Sequence, residues 1–236
     1  MTTDMMLVAM EATWPPAAAT RIGAWLLRDG KGGGKRVSAA TLAGVFDPNT
    51  IANAEGAMHG AGMQPLFQLG PEDAALDAAL AARGYKLIDP VVIYSCNLSE
   101  IAQTAPPPMT TFPHWPPLGI AVDLWVEGGV GPARLDVMQR VLGPKTAILA
   151  RSADRAAGVA FVAIHGVFAM LHALEVTPVL RRKGAARHIL QAAAHWARLQ
   201  GATDLGLAVT AANAPARALY ASFGMQAVGQ YHYRQL

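Results

Sequence analysis

Cysteine is almost missing from this chain. Cys96 is the only one in 236 residues, so no internal disulfide can form and a reducing cytoplasm is the expected setting. Following the apolar run Val91 to Tyr94, it reads as a small buried hydrophobe. Charge is scarce as well: 15% of residues are Asp, Glu, Lys or Arg against 53% hydrophobic, which excludes a disordered chain and implies a packed core. Met1 to Met10 carries Asp4 and no basic cluster, so no secretory leader is expected. No Lys/Arg block with interleaved aromatics occurs, and nucleic acid is not an expected partner. The seven histidines have no metal-ligand spacing, so no metal is expected.

One charge-free stretch, Ala156 to Leu174, approaches the length of a membrane span. Gly166 divides it, His165 and His172 lie inside it, and Val159, Val162, Ile164 and Val167 favour strands. Two buried strands joined by a tight turn are expected, and no membrane contact.

What is present is unevenly spread. Residues 1–117 hold 7 Lys/Arg and 10 Asp/Glu, whereas residues 118–236 hold 12 and 6. The basic half suits an anionic partner such as a phosphorylated cofactor. Six prolines lie between Thr104 and Pro117, which predicts an extended linker between two halves.

In the second half, Leu118–Trp125 reads as a strand and Pro132–Leu142 as a helix with Pro in its first turn. Thr146–Arg151, Ala157–His165 and Val167–Val176 read as consecutive strands. Ala185, Ile189, Ala192, Trp196 and Leu199 recur at helical spacing on Gly184–Gln200. Asp204–Thr210 reads as a strand, Pro215–Phe223 as a helix capped by Asn213 and stopped by Gly224, and Met225–Tyr233 as a last strand. This alternation predicts an α/β fold with a mixed sheet flanked by helices.

The chemistry centres on Val176-Thr-Pro-Val-Leu-Arg181-Arg182-Lys183-Gly184-Ala185-Ala186. It follows an apolar strand and opens an amphipathic helix. A helix start leaves backbone N–H groups unpaired and carries partial positive charge, which makes it an anion site. Arg181 to Lys183 add full charges, and Gly184 and Ala186 leave room for a ligand against the backbone. On these residues alone, a basic surface turn at a helix start is an equal alternative.

The run Arg181-x-x-Gly184-x-Ala186 is similar to the Gln/Arg-x-x-Gly-x-Gly/Ala signature of the GNAT superfamily of N-acetyltransferases. Asn213-Ala-Pro-Ala216-Arg-Ala-Leu219-Tyr220, followed by Phe223-Gly224-Met225, resembles that superfamily's second signature. Arg182 stands where Gly is frequent, and Ala186 where the second Gly is usual. The resemblance implies acetyl-CoA as cosubstrate. The loop Arg181 to Ala186 would hold its pyrophosphate, the strand around Leu174, Glu175 and Val176 would pair with its pantetheine arm, and Asn213, Ala216 and Tyr220 would complete the site.

It also implies Tyr220 as general acid to the leaving thiolate, a transfer uphill by only about one or two pKa units. Glu175 and His172 are candidate bases to the acceptor amine. In an unbroken strand they would face opposite sides unless a bulge intervened, and a water-mediated route without a base is also open. The acceptor would be a primary amine on a small molecule or peptide, and the protein a monomer or homodimer. A non-catalytic CoA-binding sensor or scaffold is the alternative.

An echo of this half occurs earlier. At an offset of 140, Leu66–Gln68, Pro71–Leu80, Gly84 and Val91–Tyr94 fall on the second half's strand, helix, stop and last strand. Residues 1–103 are therefore expected to form a degenerate GNAT-like domain, 104–117 a linker, and 118–236 the acetyl-CoA-binding domain. At that offset Thr41–Phe46 replaces the basic loop, and Leu80 replaces Tyr220. Ala24–Arg28 and Lys35–Ser38 are expected to form a hairpin around a loose turn at Asp29–Gly34. The first half would wall the acceptor pocket, with Trp14, Trp25 and Arg28 as candidates.

Overall fold

The computed structural model describes residues 3–101 and 104–236. Met1 and Thr2, the side chain of Asp4, and residues 102–103 at the end of the first expected domain lie outside them. The first half comprises α1 (Thr3–Ala12), β1 (Ala18–Ile22), β2 (Trp25–Asp29), β3 (Thr41–Leu42), α2 (Ile51–Gly60), β4 (Leu66–Leu69), α3 (Ala74–Ala82), β5 (Lys86–Asn97) and α4 (Leu98–Ile101). The second comprises β6 (Thr111–His114), α5 (Gly119–Glu127), α6 (Pro132–Arg140), β7 (Lys145–Ser152), β8 (Arg155–His165), β9 (Phe168–Val176), α7 (Ala185–Leu199), β10 (Asp204–Thr210), α8 (Ala214–Ser222) and β11 (Gln226–Gln235).

Eight strands share one sheet in the order β4-β11-β5-β10-β9-β8-β7-β6, and β1-β2-β3 form a smaller one. The charge-free stretch becomes β8 and β9, as its valines and central Gly166 predict. Among the described residues, no helix is long and apolar enough to cross a membrane. Alternation along β8 explains the layering. Ala160, Val162 and Ile164 pack under α7 with Ile189 and Leu190. Val159, Phe161 and Ala163 face the other way, into a core with Trp125 of α5 and Val137 and Met138 of α6. Full burial of each valine, leucine or isoleucine among them contributes roughly 1.5–3 kcal/mol.

Four expectations need correction. Leu118–Trp125 is not a strand: Leu118 caps α5, whose buried Ala121, Leu124 and Trp125 follow a helical spacing that valine and isoleucine content obscured. The proline-rich segment is more than a linker, because Thr111–His114 adds the edge strand β6 to β7. An edge tolerates Pro113 because one face of its backbone needs no ladder donor. On α7, Leu199 is exposed while Ala193 and Ala197 are buried, so the buried face turns away from the last residue.

The fourth correction concerns the glycine run. Lys35–Val37 is a 3-10 turn, and the hairpin partner of β2 is β1, across Gly23. The segment from Gly30 to Gly34 is docked, not loose. A Cβ on Gly33 would lie 2.5 Å from Val137 Cγ2, and one on Gly30 would lie 2.5 Å from Ser38 Oγ. Gly30 lets the segment fold tightly on itself, and Gly33 lets the first half close against α6 of the second.

The two halves also exchange strands. β5 lies between β10 and β11, and β11 lies between β5 and β4. The ladders share one register: Leu69 pairs with His232, and shifting each by 140 gives Val209 and Val92, which are also paired. α3 shifted by 140 spans the residues of α8. The correspondence fails earlier. Thr41–Leu42 belongs to strand β3, so it is not the counterpart of the loop before α7. The first half's helix α2 begins at Ile51, after a turn at Pro48–Thr50.

Candidate active site

β9 and β10 run parallel only from Phe168↔Asp204 to Leu171↔Leu207. Beyond that β9 continues to Val176 paired with β8 alone, and β10 continues to Thr210 paired with β5 alone. The two strands part, and the edge of β9 through Leu174 and Val176 has no sheet partner on the β10 side. The chain then turns through Pro178–Leu180 into α7.

That turn presents donors outward. Arg182 (φ 64°) and Gly184 (φ 89°) are both left-handed, and Gly184 is the N-cap with no side-chain hydrogen bond to the helix. His188 is the first amide of this turn to find a helical acceptor, Gly184 O at 3.0 Å. The amides of Ala185, Ala186 and Arg187 precede it and have no acceptor one turn back. Arg181 is tethered by Nε donating to Val176 O at 3.0 Å. The left-handed conformation at Arg182 explains why glycine suits that position.

α8 delivers the second group. Asn213 caps it, Oδ1 accepting from Ala216 N at 3.2 Å. Tyr220 is buried, with its ring 5.9 Å from that of Tyr94. Tyr220 joins Leu180 and Ala185 in one apolar cluster, against which Leu174, Val176 and Ala216 pack. Burial, and secondarily the charge of Glu175, pushes its hydroxyl up to about 12. Proton donation is thus harder than the sequence suggests, about three units uphill to a thiol of ordinary pKa. Cys96 is buried, with its thiol likewise raised to about 12 by burial.

Glu175 and His172 face the same side of the sheet. His172 pairs with Phe161 and Glu175 with Val159, so three steps on β9 match two on β8. The extra residue is a bulge, with Ala173 at φ 48° and its carbonyl accepting from Trp125 Nε1 at 2.8 Å. From there their surroundings diverge. Glu175 lies against the α5–α6 turn, where a Cβ on Gly128 would sit 2.6 Å from its Cγ. Burial raises its pKa, and Arg181 and Arg134 oppose that rise.

His172 is enclosed away from this group. Its Nδ1 lies 3.3 Å from Arg36 Nη1 and its Nε2 lies 2.9 Å from Thr13 Oγ1. Arginine can only donate, so Nδ1 accepts and the ring proton resides on Nε2. Burial, reinforced by Arg36, holds its pKa well below the usual value and keeps the ring neutral. Trp14 packs on it with centroids 5.1 Å apart.

Residues 118–225 match the model of the Acetyltransferase (GNAT) family. The chain carries a GNAT acetyltransferase domain. It is therefore an acyltransferase enzyme. Over 232 residues it is 24% identical to the uncharacterized N-acetyltransferase YobR of Bacillus subtilis (strain 168), covering 94% of each chain. Its fold resembles that of a GCN5-related N-acetyltransferase from Kribbella flavida, with a TM-score of 0.75 and 16% identity, over 100% of this chain and 96% of that one. A tandem GNAT protein from the clavulanic acid biosynthesis pathway aligns with a TM-score of 0.61 and 16% identity, over 96% of this chain and 86% of that one.

Within the GNAT domain the sequence left out Trp125, Gly128 and Arg134. Gly128 bears on Glu175 from the end of α5 and Arg134 from the first turn of α6, and nothing in local spacing links either to β9. Among the described residues no cluster of three metal-ligating side chains occurs.

Proposed function

We propose that the protein transfers an acetyl group from acetyl-CoA to a primary amine, working in the cytoplasm. One observation carries this reading: the wedge between β9 and β10 leads directly to the two left-handed residues that open α7, with Tyr220 in the same cluster. The chain fits the cosubstrate. The amides of Ala185 to Arg187, with Arg181, Arg182 and Lys183, suit a diphosphate, and the unpaired edge at Leu174 and Val176 suits the amides of a pantetheine arm.

In this reading Glu175 takes a proton from the incoming ammonium. Its burial brings it closer to neutral pH and makes it a better base. The amine nitrogen attacks the thioester carbonyl, the N–C bond forms, the C–S bond breaks, and Tyr220 protonates the departing sulfur. Burial opposes the charged thiolate as well, which narrows the gap between the two pKa values. The second amine proton leaves to water as the amide forms, and Tyr220 recovers a proton from solvent. His172, neutral and engaged at both nitrogens, serves as a fixed support and not as the base.

We also propose that the first half is a degenerate copy of the second. The common register supports it, as does Leu80 at the position of Tyr220. Before α2 the basic loop is replaced by Asp47, whose carboxylate accepts from Asn49 N at 2.9 Å. A carboxylate at that turn repels a diphosphate. Tyr220→Phe tests the central claim. It should retain acetyl-CoA binding by thermal shift and lose at least about 100-fold in acetyl transfer; unchanged transfer overturns the assignment.

A further inference from the structure

A cavity of about 250 Å³ opens beside the free end of β10, lined by Ala208–Thr210, Tyr231 and Tyr233. The first half supplies Gly33–Arg36 to it and α6 supplies Arg134. It therefore adjoins the point where β9 and β10 part and exists only because the docked glycine run closes on the second half. Its volume is that of roughly eight waters, which suits a small molecule and not a folded chain.

Its charges do not balance. Lys35, Arg36 and Arg134 line it against a single carboxylate, Asp89, and Asp89 is paired with Lys35. The nearby Arg28 is saturated, donating from Nε and Nη2 to Glu11 and from Nη1 to Ala39 O and Thr41 Oγ1. Arg36 has no carboxylate partner among the described residues, and its side chain reaches the hydroxyls of Tyr231 and Tyr233. It donates to the neutral His172, and its enclosed Nε has no acceptor among the described residues. Among the described residues Arg134 forms no ion pair, and its charge acts on Glu175. The half-buried guanidinium of Arg36 without a counter-ion is costly, and the exposed Arg134 adds a second positive charge beside the same small cavity, so the cavity calls for an anion.

We propose that the acceptor is a small amine bearing its own carboxylate, an amino acid in chemical class, with Arg36 and Arg134 holding that carboxylate while Glu175 faces the amine. This rests on the acetyl-transfer reading above. A planar carboxylate matches the guanidinium fork, and the cavity's size leaves a few atoms between carboxylate and nitrogen. The first half then contributes specificity through Arg36 without binding the cosubstrate.

The test is a steady-state comparison, with release of free CoA as the readout, of the twenty amino acids, their carboxamides and the amines lacking the carboxylate. At least one amino acid should exceed its carboxamide by 30-fold or more in kcat/KM. Arg134→Gln should reduce that ratio to below 5 by raising the amino acid's KM, with the KM for acetyl-CoA changed less than twofold. Equal use of acid and carboxamide overturns the proposal, as does acetylation of none of the twenty by a protein that acetyl-CoA stabilises. Absence of stabilisation by acetyl-CoA instead overturns the functional reading beneath it. A full ratio retained in Arg134→Gln overturns the assignment of that side chain.

Discussion

The indole Nε1 of Trp125 donates to the carbonyl of Ala173 at 2.8 Å, and this bond pins the bulge that turns Glu175 to the same side of the sheet as His172. Trp125 is fully buried in the core between α5 and β8. Trp125→Phe keeps most of the apolar volume and removes the donor. We expect a loss of about 1–3 kcal/mol in chemical denaturation, the cost of a buried carbonyl left unpaired. Transfer should fall with little change in acetyl-CoA binding; a variant that matches wild type in both refutes a role for the bulge.

Activity should depend on pH through Glu175. As base it must be ionised, and burial raises its pKa above the ordinary 4.5. kcat/KM should therefore fall as pH drops through a midpoint above 4.5. Glu175→Gln should flatten that limb and lower kcat by about 100-fold or more. A pH limb that survives the substitution assigns it to another group.

Stability should depend on pH through His172. Its folded pKa is depressed by burial and by Arg36, while in the unfolded chain it titrates near 6.5. Above about 6.5 both states are neutral and the contribution is fully present. Below it the unfolded chain gains a proton that the folded state refuses, so stability falls with pH by up to about 1.4 kcal/mol per unit. His172→Gln should remove that part of the slope between pH 6.5 and 5, measured by urea denaturation. An identical slope in the variant counts against it.

The loop before α7 separates stability from binding. Arg182 is left-handed, a conformation costing a non-glycine residue about 1–2 kcal/mol. Arg182→Gly should raise the Tm of the free protein and weaken acetyl-CoA, because a cation beside the diphosphate is lost. Tighter binding by Arg182→Gly would remove that side chain from the phosphate site.

The legible parts of the sequence were those written in local pattern. Apolar alternation marked β8 and β9, helical spacing marked most of α7, and Asn213 marked the start of α8. Pattern failed where two elements share residue types. Valines and an isoleucine made α5 resemble a strand. Gly30 to Gly34 read as loose because glycine signals both freedom and close approach, and the contacts that decide which applies include Val137, more than 100 residues away.

By itself the sequence marked the turn that opens α7 at Arg181 to Ala186 and the helix that carries Tyr220, because each is carried by neighbours along the chain. The tertiary structure decided the rest. It set β5 between β10 and β11, bulged β9 at Ala173 so that Glu175 and His172 share a face, and enclosed His172 with Arg36 and Thr13. It also brought Arg36 and Arg134 to one cavity. These outcomes depend on pairing register and on contacts between distant segments, and those energies have no signature in residues close together in sequence.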